Sequence, residues 1–354
     1  MRKMQNYIVR NKQIFIGLED SKRTWKICVR ADKRIVHETS MPAKYKVLYS
    51  YLTRHFPECP ISIIYEAGFK GFGLYDRLNN DGLQCFVTPP NKVTQEKDNR
   101  VKTDRVDARR LAVILENGDY KTCFIPDAEQ REDRQVSRTM IQVQKQLTST
   151  KNRIRKFLEF HSLDENFKPG KWSQRDYDNL KELQLSDSLQ FCLNIYLKQL
   201  DDLLSLKKQL MKKLKEISKK ERYSVIFQLF MSAPGIGWLT SIRLVLEWGD
   251  DLSRFKTSKH FASYLGLTAS EYSTGITIRK GRITKQSHAF VRAWLIQCAW
   301  AACRKDPVLL NKFDTVWRHS GNKKIAIVAV ARKLAVRLRS ISLSGIPYSV
   351  GLVE

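Results

Sequence analysis

The sequence contains no run of the roughly 18 uncharged apolar residues that a membrane helix needs. Its first residues, MRKMQNYIVRNKQ, hold no apolar stretch of signal-peptide length. Both absences set the expectation of a cytoplasmic protein with no membrane partner. Seven cysteines occur, at positions 28, 59, 85, 123, 192, 298 and 303, but none forms a CxxC pair and no histidine stands at ligand spacing from them. That pattern argues against structural zinc and against a disulfide framework, so the thiols are expected as reduced core residues. Acidic residues are in deficit: 36 Asp and Glu face 63 Lys and Arg, a net charge of +27. Solubility does not require such an imbalance. It calls for a polyanionic partner, and nucleic acid is the natural one. No basic amphipathic helix with an aromatic face stands out to suggest an anionic membrane instead.

With 354 residues, 42% of them hydrophobic, the chain is globular and long enough for two or three domains. Three regions differ in texture. Residues 1–128 mix strands and helices. Positions 14–18, 25–29 and 34–38 read as an antiparallel meander, and 61–65 and 84–88 as further buried strands. Residues 71–80 read as helical, and TDRVDARRLAVILENG from Thr103 is an amphipathic helix stopped by Gly118. Residues 129–222 read as all helical. Val136, Met140, Val143, Leu147, Ile154 and Phe157 follow heptad steps, as do Leu189, Leu193, Tyr196, Leu200, Leu203, Leu210, Leu214 and Ile217. A coiled-coil hairpin is expected, broken around Pro169-Gly170. Residues 223–354 are mostly helical and strongly basic. The predicted class is therefore α/β plus all-α.

Four carboxylates occupy positions suited to metal binding in a ribonuclease-H-like fold. Glu19 ends the first strand, Glu66 ends a later one, and Asp104 and Asp107 stand three apart on one helix face. Clustered carboxylates resist ionising together unless divalent cations neutralise them. Mg²⁺, with Mn²⁺ as the alternative, prefers oxygen ligands and leaves positions for water and phosphate, which suits phosphodiester chemistry. Taken singly, Asp104 also reads as an acid favoured by a helix N-terminus, and Asp107 as a solvated side chain.

In the third region, ASEYSTGITIRKGRITK reads as a loop between two helices, with Ser273 at its centre and Arg279, Lys280, Arg282 and Lys285 beyond it. These cations would hold a phosphate beside the hydroxyl, although spacing alone favours an ordinary Ser/Thr turn. The APGIG segment, with Gly235 and Gly237, suggests a helix-hairpin-helix-like contact to phosphate. A later basic helix carries Lys323, Lys324, Arg332 and Lys333 as further nucleic-acid contacts.

IFIGLEDSK, YEAG, KTDRVDARRLA, PGIGWLTS, FASYLGLTASEYSTG, RITKQSHAFVRAWL and KKIAIVAVARKLA occur in that order across nearly the whole chain. Together they resemble the DEDD transposases of bacterial insertion sequences, the bridge-RNA-guided recombinases. The resemblance implies a RuvC-like N-terminal domain, a coiled-coil middle and a C-terminal transposase domain. It puts the four acids at Glu19, Glu66, Asp104 and Asp107 and the nucleophile at Ser273, which would form a phosphoserine link to DNA. It also implies donor and target DNA, a non-coding bridge RNA, and a dimer or tetramer whose subunits share the two sites. One departure stands out. The family's first acid is usually aspartate, whereas here Glu19 is followed by Asp20, leaving Asp20 as the alternative first ligand. Two other readings remain open: a RuvC-like nuclease using metal-activated water, and a catalytically silent nucleic-acid-binding protein.

Overall fold

The computed structural model describes residues 11–90, 103–164, 170, 172–272, 274, 277, 279–284 and 289–351. The chain divides into two compact units, Met1–Ile125 and Pro126–Glu354.

Unit 1 is built on a five-stranded sheet of order β3-β2-β1-β4-β5. Strands β1 (Ile14–Asp20), β2 (Thr24–Ala31) and β3 (Arg34–Pro42) form the antiparallel meander; β4 (Ile61–Glu66) and β5 (Gln84–Thr88) add in parallel beside β1. Strand alternation gives the sheet two faces. One face presents Ile14, Ile16, Leu18, Ile63, Tyr65 and Val87 to helices α1 (Tyr45–His55) and α2 (Gly73–Asn80), through Leu48, Leu52 and Leu78. The other, with Ile64 and Cys28, is covered by α3 (Asp104–Asn117), through Ala108, Leu111, Ala112 and Leu115. Thr103 caps α3 by accepting from the Val106 amide, and Gly118 ends it at φ 76°. Burial pushes the Cys28 thiol up to about 12, which fits the expected inert core cysteine.

Gly17 sets the depth at which α3 docks. A Cβ there would lie 2.1 Å from the Ala108 carbonyl oxygen and 2.3 Å from the Ala112 amide nitrogen. Strand β1 and α3 thus meet backbone to backbone. Two ion pairs fix the rotation of the helix. Arg109 grips Glu38 on β3 through both carboxylate oxygens, and Arg30 on β2 donates to Glu116 at 2.6 Å.

Unit 2 begins with a long helical hairpin, α4 (Ala128–Phe160) against α6 (Asp187–Ile217). The seam holds Val143, Leu147, Ile154, Leu193, Leu200 and Leu203. Leu158 is the fully buried residue of the last turn, and Phe157 packs beside it. The break read between the two helices holds an element of its own. Helix α5 (Gln174–Glu182) is started by a Ser173–Asp176 capping box, and Leu180 plugs it into the hairpin core.

The remaining helices form one core around Trp248, Phe230, Phe261 and Leu334: α7 (Glu221–Met231), α8 (Trp238–Trp248), α9 (Ser258–Tyr264), α10 (Ala289–Ala302), α11 (Pro307–Ser320) and α12 (Lys323–Ser344). The segment expected as a loop contains a two-stranded antiparallel hairpin, β6 (Ala269–Glu271) with β7 (Lys280–Ile283). Asp306 is a buried keystone. It caps α11 by accepting from the Val308 amide at 2.8 Å, and it also receives Arg337 of α12 at 2.9 Å and the Tyr348 hydroxyl. Breaking a buried pair by removing one charge typically costs about 3 kcal/mol or more. Asp306→Asn is therefore expected to lower the unfolding free energy by roughly that amount, as a denaturant titration of the variant would show.

Candidate active site

The register of the sheet sorts the acids. Gly17 pairs with Ile64, and Leu18 with Tyr65, so Glu19 and Glu66 are the next positions on two adjacent strands. Gly17 and Ile64 both face α3; two residues on, Glu19 and Glu66 stand on the same face. Asp104 and Asp107 lie in the first turn of α3 over that face, Asp104 one turn before Ala108 and Asp107 beside it. All four acids expected from the sequence thus share one side of the sheet.

Asp20 stands on the other. It follows Leu18 in the alternation and is tied down there, accepting from Trp25 Nε1 at 2.6 Å and from Lys70 Nζ at 2.7 Å. The Lys70 ammonium also sits 5.2 Å from the Trp25 ring centre. Asp20 is therefore occupied in anchoring Trp25 and Lys70, and Glu19 is the acid that faces α3.

Sharing a face is not yet convergence. Among the described residues, no three His, Cys, Asp or Glu side chains are gathered closely enough to hold a metal ion. Asp104 accepts from the Ser21 hydroxyl at 3.2 Å, and Asp107 pairs with Arg110 at 3.2 Å. Uncompensated carboxylates repel, and each helix acid has found a local donor. The donor set fits a hard divalent cation, being all oxygen, but its members stand as a strand pair and a helix pair rather than a closed cage. Beside Asp104 runs a cleft of about 490 Å³ whose lining includes Lys26, Ser40, Thr103 and Arg105.

Sequence reasoning missed two residues at this face. Gly17 was visible as a glycine inside a strand, a sign of close backbone approach. Thr88 pairs with Glu66 in the register, is 1% exposed, and its hydroxyl has no hydrogen-bond partner among the described residues. Nothing in the sequence marked it.

In unit 2, Ser273, Gly275 and Lys285 lie outside the described residues. The chain on either side of Ser273 belongs to the hairpin: Tyr272 donates to the Arg279 carbonyl at 2.9 Å, and Thr274 and Thr277 bridge across. Ser270 is engaged, donating to the Arg282 carbonyl at 3.1 Å. Arg279 and Arg282 are exposed, and Lys280 lies in β7. Lys323 and Lys324 open α12 exposed, Lys323 lying 4.8 Å from the Trp317 ring centre; Arg332 is exposed and Lys333 half-buried. The two glycines of APGIG part company. Gly235, at φ 78°, packs so tightly on α10 that a Cβ would lie 2.3 Å from the Cys298 carbonyl oxygen. The need for glycine there is met by helix packing. Gly237 is exposed at the N-cap of α8.

Comparison with known proteins bears on both units. A family model for DEDD transposases of the IS110 type matches residues 16–162, and one described as Transposase IS116/IS110/IS902 family matches residues 227–314. The two stretches together take in more than half of the chain and include all four acids. The chain belongs to the IS110 family of insertion-sequence transposases. It is 26% identical to a protein of Sinorhizobium fredii named as transposase y4qE, over 79% of this chain and 68% of that one. It is 24% identical to the transposase for insertion sequence element IS1533 of Leptospira borgpetersenii, over 68% of this chain and 70% of that one. This transposase is an enzyme that cuts and rejoins DNA. Its mixed α/β unit 1 suits a ribonuclease-H-like domain, followed by a helical C-terminal region. Among the described residues, no helix is long and apolar enough to cross a membrane.

Proposed function

We propose that this transposase works on DNA through two sites. One is a divalent-cation-dependent acidic site of Glu19, Glu66, Asp104 and Asp107; the other is Ser273, acting as nucleophile toward a DNA phosphate. The observation that carries the acidic site is the shared face: two strand ends and one helix turn bring four carboxylates to one side of the sheet, while Asp20 is committed to the other. When bound there, Mg²⁺ or Mn²⁺ would stabilise charge on the phosphodiester and on the departing oxygen. Glu19 and Glu66 would hold the ion from the sheet, and Asp104 and Asp107 from α3. To do so, Asp104 gives up Ser21 and Asp107 gives up Arg110. Lys26 and Arg105, in the cleft beside Asp104, would receive the flanking phosphates.

The serine step rests on the family resemblance and on the cations around the β6–β7 hairpin, Arg279, Lys280 and Arg282. The bridge RNA that would select donor and target by base pairing, and the pairing of acidic site and serine across subunits of a dimer or tetramer, rest on the family resemblance alone. The division into residues 1–128, 129–222 and 223–354 is likewise part of this reading, as are the nucleic-acid roles of Gly237, Lys285, Lys323, Lys324, Arg332 and Lys333. The charge of +27 supports a protein that holds two polyanions at once.

The test compares neighbouring acids. Glu19→Gln and Glu66→Gln are expected to lower Mg²⁺-dependent strand cleavage on the order of a hundredfold to a thousandfold, with DNA binding and melting temperature little changed. Asp20→Asn is expected to keep cleavage and lose stability. The reverse pattern, with Asp20→Asn inactive and Glu19→Gln active, would remove Glu19 from the site.

A further inference from the structure

Unit 2 contains a cleft that the acidic site and the serine hairpin leave unused. It lies between α4, α8 and α10, encloses about 290 Å³, and is lined by Ile141, Gln144, Lys145, Thr148, Arg243 and Trp294. Two of these residues are cations and none is an acid. The Arg243 guanidinium lies 5.1 Å from the Trp294 ring centre. Its Nε is shielded from solvent and has no hydrogen-bond partner among the described residues. Burial lowers its pKa below the ordinary arginine value, and no carboxylate opposes that shift.

Several other arginines of the same unit face a carboxylate. Arg138 pairs with Glu247 at 2.9 Å, and Arg337 with Asp306 at 2.9 Å. Burial depresses Arg254 and Arg134 as well; Tyr264, then Asp251 and Asp250, oppose the shift at the first, while at the second Arg138 adds to it and Glu247 opposes it. Arg243 has neither kind of help. A desolvated cation without a counter-charge is costly, and an arriving anion would offset that cost.

The geometry points to a phosphodiester-binding site in this cleft, where one backbone phosphate of a bound nucleic-acid strand sits between Arg243 and Lys145. The guanidinium lies against the Trp294 ring, and its terminal N–H groups would donate to the phosphate oxygens. Lys145 supplies a second charge from the exposed edge of α4. Gln144 and Thr148, one helical turn apart on the same edge, add polar groups within the cleft. The site shares no residue with the acidic or serine site, so it stands or falls apart from them. A phosphate of DNA and one of RNA are chemically alike here, and the measurement separates them.

The full-length protein is titrated by fluorescence anisotropy against end-labelled duplex DNA, single-stranded DNA and RNA of one sequence, across a range of salt. Arg243→Met keeps the apolar stem and removes the charge; Lys145→Ala alters an exposed residue and leaves the fold intact. Each is expected to weaken binding roughly tenfold and to flatten the dependence of log affinity on log salt by about one phosphate contact. The control Lys156→Ala, an exposed lysine paired with Glu159, should leave the slope as it is. Flattening confined to RNA assigns the phosphate to RNA, and flattening confined to DNA assigns it to DNA. A salt slope unchanged in both Arg243→Met and Lys145→Ala, on every strand, overturns the site.

Discussion

Ser273→Ala is expected to abolish covalent capture of DNA while leaving DNA binding unchanged. In the proposed reaction the serine oxygen bonds to phosphorus as one bridging P–O bond breaks. The released DNA oxygen takes a proton, and the serine hydroxyl loses one. A hydroxyl is a weak nucleophile and reacts only where its surroundings activate it; the cations that follow it in the chain supply charge stabilisation. A suicide substrate, in which the released strand diffuses away, should trap the link as a slow band on a denaturing gel. Removing the nucleophile should eliminate that band and reduce strand transfer at least on the order of 10³-fold. A ribonuclease-H-like site that uses water predicts the opposite. It forms no adduct in either protein, and the Ser273→Ala enzyme cuts at the normal rate. Undiminished cleavage would therefore refute the serine step and leave the acidic site standing.

The second large effect is expected at a residue with no functional group. Gly17→Ala places a methyl 2.1 Å from one backbone atom of α3 and 2.3 Å from another. Neither can rotate aside, so the helix must lift or the strand must bend. Overpacking of this kind typically costs 1–3 kcal/mol, and two backbone collisions put this case at about 3 kcal/mol, readable as a lower denaturation midpoint. Because Asp104 and Asp107 ride on the displaced helix, cleavage should fall far more than DNA affinity. Gly73→Ala is the control. Among the described residues, nothing beyond the adjoining chain lies within 4 Å of a Cβ at Gly73, and the variant should behave like the parent. A Gly17→Ala protein with normal stability and cleavage would contradict the tight docking of α3.

Much of unit 1 was legible in the sequence because its strands are short, β-branched and closely spaced, and because α3 carries both a capping threonine and a stopping glycine. Helix α1 was not. YKVLYSYLTRH is rich in β-branched and aromatic residues, has no side-chain cap at its start and buries only Leu48 and Leu52, so tertiary packing creates it. Helix α5 was hidden behind Pro169-Gly170, which reads as a break. At the site, the sequence left Glu19 and Asp20 as alternatives, and strand alternation in the folded sheet puts them on opposite faces. What the sequence withheld was distance. It led to an expectation of four converging acids, whereas the chain gathers them on one face and lets Ser21 and Arg110 hold the helix pair. Repulsion among like charges is a property of the folded arrangement and leaves no trace in spacing. Arg243 was equally silent, since an arginine lacking a partner looks in sequence like any other.

The docking of α3 has a consequence for the protein while it is being made. The strands bearing Glu19 and Glu66 leave the ribosome first, and they can pair before Asp104 and Asp107 have been translated. Half of the proposed cutting apparatus then arrives on the last helix of its unit, and only once the bare backbone at Gly17 has received it. A nascent or truncated polypeptide that stops before α3 would carry only two of the four proposed acids.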